Sequence, residues 1–321
     1  MSVELVEVVR SGFQECVHRG SLAIIGPDGD PTLELGTVHT PIFPRSSNKP
    51  MQAVALLRHG FTPVDAAELA IAAASHSGQR RHTDLVRRLL DRFGLTEDAL
   101  RCPPDFPGDE STRAEVLTHG ARKRRIYMNC SGKHAAMVAT CLINDWPLDS
   151  YLDAAHPLQQ AVTDTIADLT GEPETELGID GCGLPIVPVS LANLARGYAA
   201  LVTAPEGDPG RAVADAIRAD PFLVSGTGND DVRLMTAVPG LLCKAGAEGV
   251  HVGALPDGTA FALKIADGSE RARVPLTAAV LRHIGVEWTV DPTEFAAQPV
   301  NGGDSRVGVI RAVPGVIGAR T

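Results

Sequence analysis

Strand-forming sequence stands at both ends of this chain and is scarce in its middle. Residues 3 to 10, 20 to 25 and 32 to 38 are rich in Val, Ile and Leu, and the last two flank Gly26-Pro-Asp-Gly-Asp-Pro31, where Gly and Pro impose a turn. Near the other end, residues 249 to 254 and 260 to 265 flank Leu255-Pro-Asp-Gly-Thr259, and residues 306 to 312 read as a further strand. Between these ends, residues 64 to 74, 84 to 93, 133 to 144, 158 to 169, 191 to 201 and 212 to 219 recur at helical spacing or are rich in Ala and Leu. Neither terminal set of strands can bury both of its faces alone. The pattern therefore predicts an α/β architecture of α+β type: one central, mostly antiparallel sheet formed from both chain ends and packed with helices.

A chain of 321 residues can fill one large domain. Residues 203 to 210 form a loop rather than a linker, because apolar helices resume on both sides, so a single domain over residues 1 to 321 is expected. Only 4% of the residues are aromatic, which leaves aliphatic side chains and Ala to fill the core.

A formal charge of −10 argues against a phosphate-binding surface, and the basic quartet Arg122-Lys-Arg-Arg125 reads as a solvated turn. No nucleic-acid partner is expected. The first ten residues alternate apolar and polar and carry acids, unlike a signal peptide, and no run approaches the roughly 20 apolar residues of a membrane span. The expected location is the cytoplasm, without a membrane partner. Six scattered cysteines lack the dense spacing of a disulfide scaffold and are read as reduced, mostly buried thiols.

Four sets of residues could carry chemistry, the last of them made of two stretches. In Arg45-Ser-Ser-Asn-Lys-Pro-Met-Gln52, Ser46 and Lys49 fall on one face at the entrance of a helix running to Arg58. A serine hydroxyl needs a base, and lysine can serve if burial or a second cation brings it toward neutrality. The plain alternative is a cap serine beside a surface lysine. Ala74-Ser-His-Ser-Gly78 closes an Ala-rich segment with two hydroxyls and an imidazole, as capping residues also would. Cys243-Lys-Ala-Gly246 is similar to the Lys-Thr-Gly box of serine acyl-transferases, although Lys244 taken alone reads as an exposed strand residue. Asn129-Cys-Ser-Gly-Lys-His134 and Asp180-Gly-Cys-Gly-Leu-Pro185 each set a thiol beside polar groups, either as buried structural loops or as halves of a zinc site.

Taken together and in order, these stretches, with Lys264-Ile-Ala-Asp-Gly268, resemble the thermolabile, Rhizobium-type (class 3) asparaginase family along nearly the whole chain. The resemblance implies hydrolysis of L-asparagine to L-aspartate and ammonia, in a fold similar to serine β-lactamases and glutaminases. It implies that Ser46 with Lys49, and Ser75 with Lys244, are two catalytic pairs, and that Cys130, Lys133 and Cys182 bind zinc, which would not supply the nucleophile. Asp180 matches an acid beside that site, and Arg45 is an anchor for a substrate carboxylate; both are read as substrate-binding residues. A homodimer acting on the small molecule L-asparagine is expected. Gly78 stands where some members have a second serine, and the chain is shorter than some members ahead of its terminal hairpin. The rival readings are a glutaminase, a β-lactamase-like serine acyl-transferase, and a non-catalytic metal or amino-acid binding protein.

Overall fold

The computed structural model describes residues 2–172 and 176–318. It divides into two compact units. One gathers the residues up to Ser47, Val189–Ala199 and the residues from Leu234 on; the other gathers Asn48–Pro188 and Ala200–Arg233. In chain order the strands are β1 Val3–Arg10, β2 Phe13–Ile25, β3 Pro31–Leu35, the two-residue β4 Gly178–Ile179 and β5 Pro185–Ile186, then β6 Leu242–Gly246, β7 Val250–Ala254, β8 Ala260–Ile265, β9 Gln298–Gly302 and β10 Ser305–Ala312.

The first unit holds the sheet built from both chain ends, in the order β6-β7-β8-β2-β1-β10-β9, with β3 also paired to β2. Every pairing in it is antiparallel. The two halves of the chain meet where β2 runs against β8, from Gly20 opposite Ile265 to Ile25 opposite Ala260, and where β1 runs against β10. Strands at the middle of the sheet are buried on both faces: all of β7, and Leu5 to Val8 of β1. That double burial fits their largely apolar make-up, Glu7 and His251 excepted. Helix Arg273–Ile284 lies against β1, β7, β8 and β10 and is pinned by a buried hydrogen bond of 2.7 Å between His251 of β7 and Thr277. This helix and β9 were not foreseen from the sequence, and β6 was only in the reading of Lys244 as a strand residue.

The second unit is helical, with β4 and β5 as a small antiparallel pair. At its centre is helix Ser131–Ile143, whose residues from Ser131 to Cys141 are all buried. A helix buried all round needs partners on every side, and Lys49–Arg58, Ala66–Ala72, Arg80–Arg92 and Pro157–Thr170 supply them. Small residues let the backbones come close. A Cβ on Gly132 would stand 2.3 Å from the Ile71 carbonyl oxygen, so only glycine fits there. Helix Ala66–Ala72 starts at Asp65, whose carboxylate accepts the Glu68 amide at 2.8 Å. It stops just short of Ala74-Ser-His-Ser-Gly78, which leaves that stretch free to be shaped by side chains.

Candidate active site

At the end of the first unit's opening segment, Arg45–Asn48 forms a 3₁₀ turn that begins with Arg45 in the left-handed region at φ 54°. The turn is tied down by Ser47, whose hydroxyl donates to Pro44 O at 2.7 Å, and by Tyr198, whose phenol donates to Ser47 O at 2.6 Å. Ser46 sits partly exposed on this turn. Strand β6 passes so close that a Cβ on Gly246 would meet Pro44 O at 2.4 Å. Residues two apart on a strand share a face, so Lys244 issues from the β6 face turned toward the segment that carries Ser46. Lys244 is 1% exposed, which corrects its reading as an exposed strand residue, and its amine donates to Ala245 O at 3.0 Å.

In the second unit, Lys49 opens helix Lys49–Arg58 and is 2% exposed. Its amine lies 2.8 Å from Ala74 O, 2.8 Å from the Ser75 hydroxyl and 3.2 Å from Asn129 Oδ1. An ammonium fills all three contacts as a donor. A neutral amine gives its two protons to the Ala74 and Asn129 oxygens and turns its lone pair on the Ser75 proton, which is the arrangement of a general base and its hydroxyl.

The backbone around Ser75 is fixed on both sides: its amide donates to Val224 O at 2.8 Å, and the His76 amide donates to Asn129 O at 2.9 Å. The His76 ring is a brace. Its Nδ1 accepts the Gly78 amide at 3.1 Å, so its Nε2 carries the proton and donates to Ser131 Oγ at 2.9 Å, and Ser131 in turn donates to Ile126 O. Burial, with the nearby charges of His82 and Lys49, holds this imidazole well below its ordinary pKa, so it stays neutral.

The start of helix Ser131–Ile143 and the β4–β5 hairpin bring a thiol cluster together. At the hairpin turn, Gly183 takes φ 87° and donates to Asp180 O, which carries Cys182 inward. The Lys133 amine donates to Cys182 Sγ at 3.4 Å, and the Cys182 thiol points to Asp180 Oδ2 at 3.7 Å. Hydrogen bonds from Cys102 and Cys182 hold the Cys130 thiol well below its usual value against the push of burial, with Lys133 and Lys49 adding to the effect. Burial pushes the Lys133 ammonium down, but the charges of Cys182, Cys130 and Asp180 outweigh it and the net direction is up. Lys133 is therefore a cation set among sulfurs.

Four contributors were not singled out from the sequence. Asn129 lies inside the Asn-Cys-Ser-Gly-Lys-His stretch, which was the available signal for it. Cys102 comes from Arg101-Cys-Pro-Pro, where nothing suggests a partner, yet its sulfur, that of Cys130 and a ring nitrogen of His134 all lie within 4.8 Å of one another. His134 Nδ1 is 2.6 Å from the Tyr151 hydroxyl. Burial takes the His134 ring down to about 4, so it too is neutral. Its Nε2 is buried and makes no hydrogen bond.

A family model described as L-asparaginase II matches residues 6–312. The chain belongs to the L-asparaginase II family. This agrees with the resemblance to Rhizobium-type asparaginases. No curated protein matches the sequence significantly. Among solved structures, Mglu in its tris and glutamate form is similar over 78% of this chain and 55% of its own, at 17% identity and TM-score 0.34. Mglu in its native form is similar over 89% and 66%, at 15% identity and TM-score 0.38. This member of the family thus spans between half and two thirds of the length of Mglu. A β-lactamase from Mycobacterium bovis is similar over 82% of this chain and 94% of its own, at 15% identity and TM-score 0.45. Among the described residues no helix is long and apolar enough to cross a membrane.

Proposed function

We propose that this protein converts L-asparagine to L-aspartate and ammonia by a serine–lysine mechanism. The observation that carries the reading is the buried Lys49 amine, held by Ala74 and Asn129 and 2.8 Å from the Ser75 hydroxyl. Ser46 attacks the carbon of the side-chain carboxamide while Lys49 takes its proton, giving a tetrahedral oxyanion. Collapse breaks the C–N bond, and ammonia leaves with a proton relayed from Lys49 through Ser75. Water then attacks the aspartyl ester, Lys49 accepts the water proton, and Ser46 regains a proton as the ester C–O bond breaks. Lys244 serves the relay as the second amine. Arg45 is the counterpart of the substrate carboxylate, and Asp180 of its ammonium.

The 2.8 Å contact also favours a second reading, in which Ser75 itself forms the ester. Zinc, if bound, is held at the Cys130 and Cys182 cluster, where soft donors and the unbonded Nε2 of His134 suit it. Its chemistry there is a fixed positive charge ordering the two loops. The family resemblance also supports a cytoplasmic homodimer.

Ammonia release measured on asparagine, glutamine and a chromogenic lactam tests the substrate. Asparagine is expected to lead in kcat/KM by about tenfold or more, which corresponds to about 1.4 kcal/mol of transition-state preference. A faster rate on glutamine or on the lactam would hand the assignment to that rival. Tight asparagine binding without ammonia release would make the protein a binding module.

A further inference from the structure

We infer that Gln79 is a positioning residue for the reaction: its amide latches residues 220–229 onto the catalytic loop and so fixes Ser75 against Lys49. The inference rests on the reading of Ser75 and Lys49 as catalytic partners. The loop from Ala74 to Gln79 joins helices Ala66–Ala72 and Arg80–Arg92 without regular structure of its own. Its Ser75 amide donates to Val224 O at 2.8 Å, so a shift of Val224 is passed to Ser75. All of these residues belong to the second unit.

Val224 lies in the short helix Pro221–Ser225, which the start of helix Arg80–Arg92 and the residue before it hold on two sides. On the leading side, His82 Nε2 donates to Phe222 O at 2.9 Å, the two rings stack with centroids 4.6 Å apart, and Arg81 pairs with Asp220. On the trailing side the anchor is the Gln79 amide. Its Nε2 donates to Thr227 Oγ1 at 3.0 Å, and its Oε1 accepts the Thr227 N–H at 3.0 Å and the Ser77 hydroxyl at 2.9 Å. The Thr227 N–H can only donate, which fixes which way the amide is turned. Gly226, at φ 98°, makes the close approach possible: a Cβ there would fall on the Ser77 hydroxyl and 2.8 Å from Gln79 Oε1. The Gly226 N–H donates to Phe222 O at 2.8 Å and Asn229 Nδ2 to Ser225 O at 2.9 Å, so residues 222–229 move as one piece. Releasing Thr227 therefore loosens Val224, and with it the 2.8 Å contact between Ser75 and Lys49.

Steady-state kinetics of Gln79→Ala on the fastest of the three substrates, with hydrogen exchange of the Ser75 amide, test this. Because an ångström of misplacement is worth roughly 10²-fold in rate, kcat should fall about ten- to a hundredfold while KM stays within about twofold. The Ser75 amide should exchange about tenfold faster or more. Gln79→Glu should recover most of the rate: one carboxylate oxygen accepts the Thr227 N–H and the Ser77 hydroxyl, and the other accepts the Thr227 hydroxyl once its proton turns. A merely structural glutamine would lower the melting temperature without this split of kcat from KM. Should Gln79→Ala not fold, Thr227→Val removes one bond of the latch and should lower kcat about threefold or more. The inference is overturned by a folded Gln79→Ala, or in its place Thr227→Val, at the wild-type kcat, by unaltered Ser75 exchange, or by a Gln79→Glu as slow as the alanine variant. A wild type that releases no ammonia overturns the proposed activity instead, and the exchange of the Ser75 amide then decides the latch on its own.

Discussion

Lys49→Met is expected to cut ammonia release from asparagine by roughly 10²- to 10⁴-fold, the range that removal of a positioned acid–base group produces. Methionine keeps most of the buried volume, so the helix it opens should survive. What is lost is the amine that joins Ala74 O, the Ser75 hydroxyl and Asn129 Oδ1. Two buried oxygens then lack a donor, at a cost of about 1 to 3 kcal/mol each at most, and the melting temperature should fall by a few degrees without loss of the folded state. Ser46→Ala should be as damaging, and the double variant no worse than either, because nucleophile and base act as a unit. Circular dichroism establishes folding and a coupled ammonia assay reads the rate. A folded Lys49→Met protein that kept more than about a tenth of the wild-type rate would remove lysine from the role of base. A fully active Ser46→Ala protein paired with a dead Ser75→Ala would move the ester to Ser75.

Gly132→Ala should be strongly destabilising. The added carbon would meet the Ile71 carbonyl oxygen at 2.3 Å and Ile71 Cγ1 at 2.8 Å. The first of these is backbone and cannot rotate away, so helices Ser131–Ile143 and Ala66–Ala72 must separate. Overpacking of this kind costs about 3 kcal/mol. The same carbonyl accepts the Ala74 amide at 3.3 Å, one residue before Ser75, so the displacement is transmitted to the catalytic loop. An ångström of misplacement is worth roughly 10²-fold in rate. Urea unfolding, with kcat measured well below the transition, should therefore show both losses. An alanine variant within about 1 kcal/mol of wild type and fully active would mean that the two helices are not in the contact described.

Where the sequence carried a local physical signal, the fold could be read from it. Gly26-Pro-Asp-Gly-Asp-Pro31 does turn β2 into β3, with Leu22 opposite Leu35, and Leu255-Pro-Asp-Gly-Thr259 joins β7 to β8. The proposed strand at residues 3 to 10 is β1, and the one at residues 306 to 312 is β10 with one residue added. The strand expected at residues 20 to 25 begins at Phe13, because its polar first half is held by pairing with β1 rather than by an apolar pattern. Strand β6 showed only in the reading of Lys244 as a strand residue, for the opposite reason. Leu242-Cys-Lys-Ala-Gly has no alternation to read, and its lysine is buried by tertiary packing that no local window contains. Helix Arg273–Ile284 has a proline near its start and a weak apolar stripe, so its periodicity is faint.

The candidate site divides along the same line. Lys49, Ser75, Lys133 and Cys182 stand in conspicuous short motifs, and the resemblance singled them out. Cys102 and Tyr151 stand in none, and enter only because the fold carries the segments bearing them to helix Ser131–Ile143. A thiol between an arginine and two prolines has no spacing to announce a partner 28 residues away.

The seam where β1 lies between β2 and β10 bears on how the polypeptide is made. Arg311 Nε reaches Glu7 Oε1 at 2.9 Å across a separation of 304 residues. At about 5 to 20 residues per second, roughly fifteen seconds to a minute of translation pass between the emergence of the two partners. During that interval β1 can pair with β2, but its other edge offers open N–H and C=O groups beside Leu5, Val6 and Val8, which are fully covered once the sheet is complete. An edge of that kind invites pairing with the same segment of another nascent chain. Slower elongation lengthens the exposure, so soluble yield is expected to rise with whatever shields β1 until β10 has been synthesised.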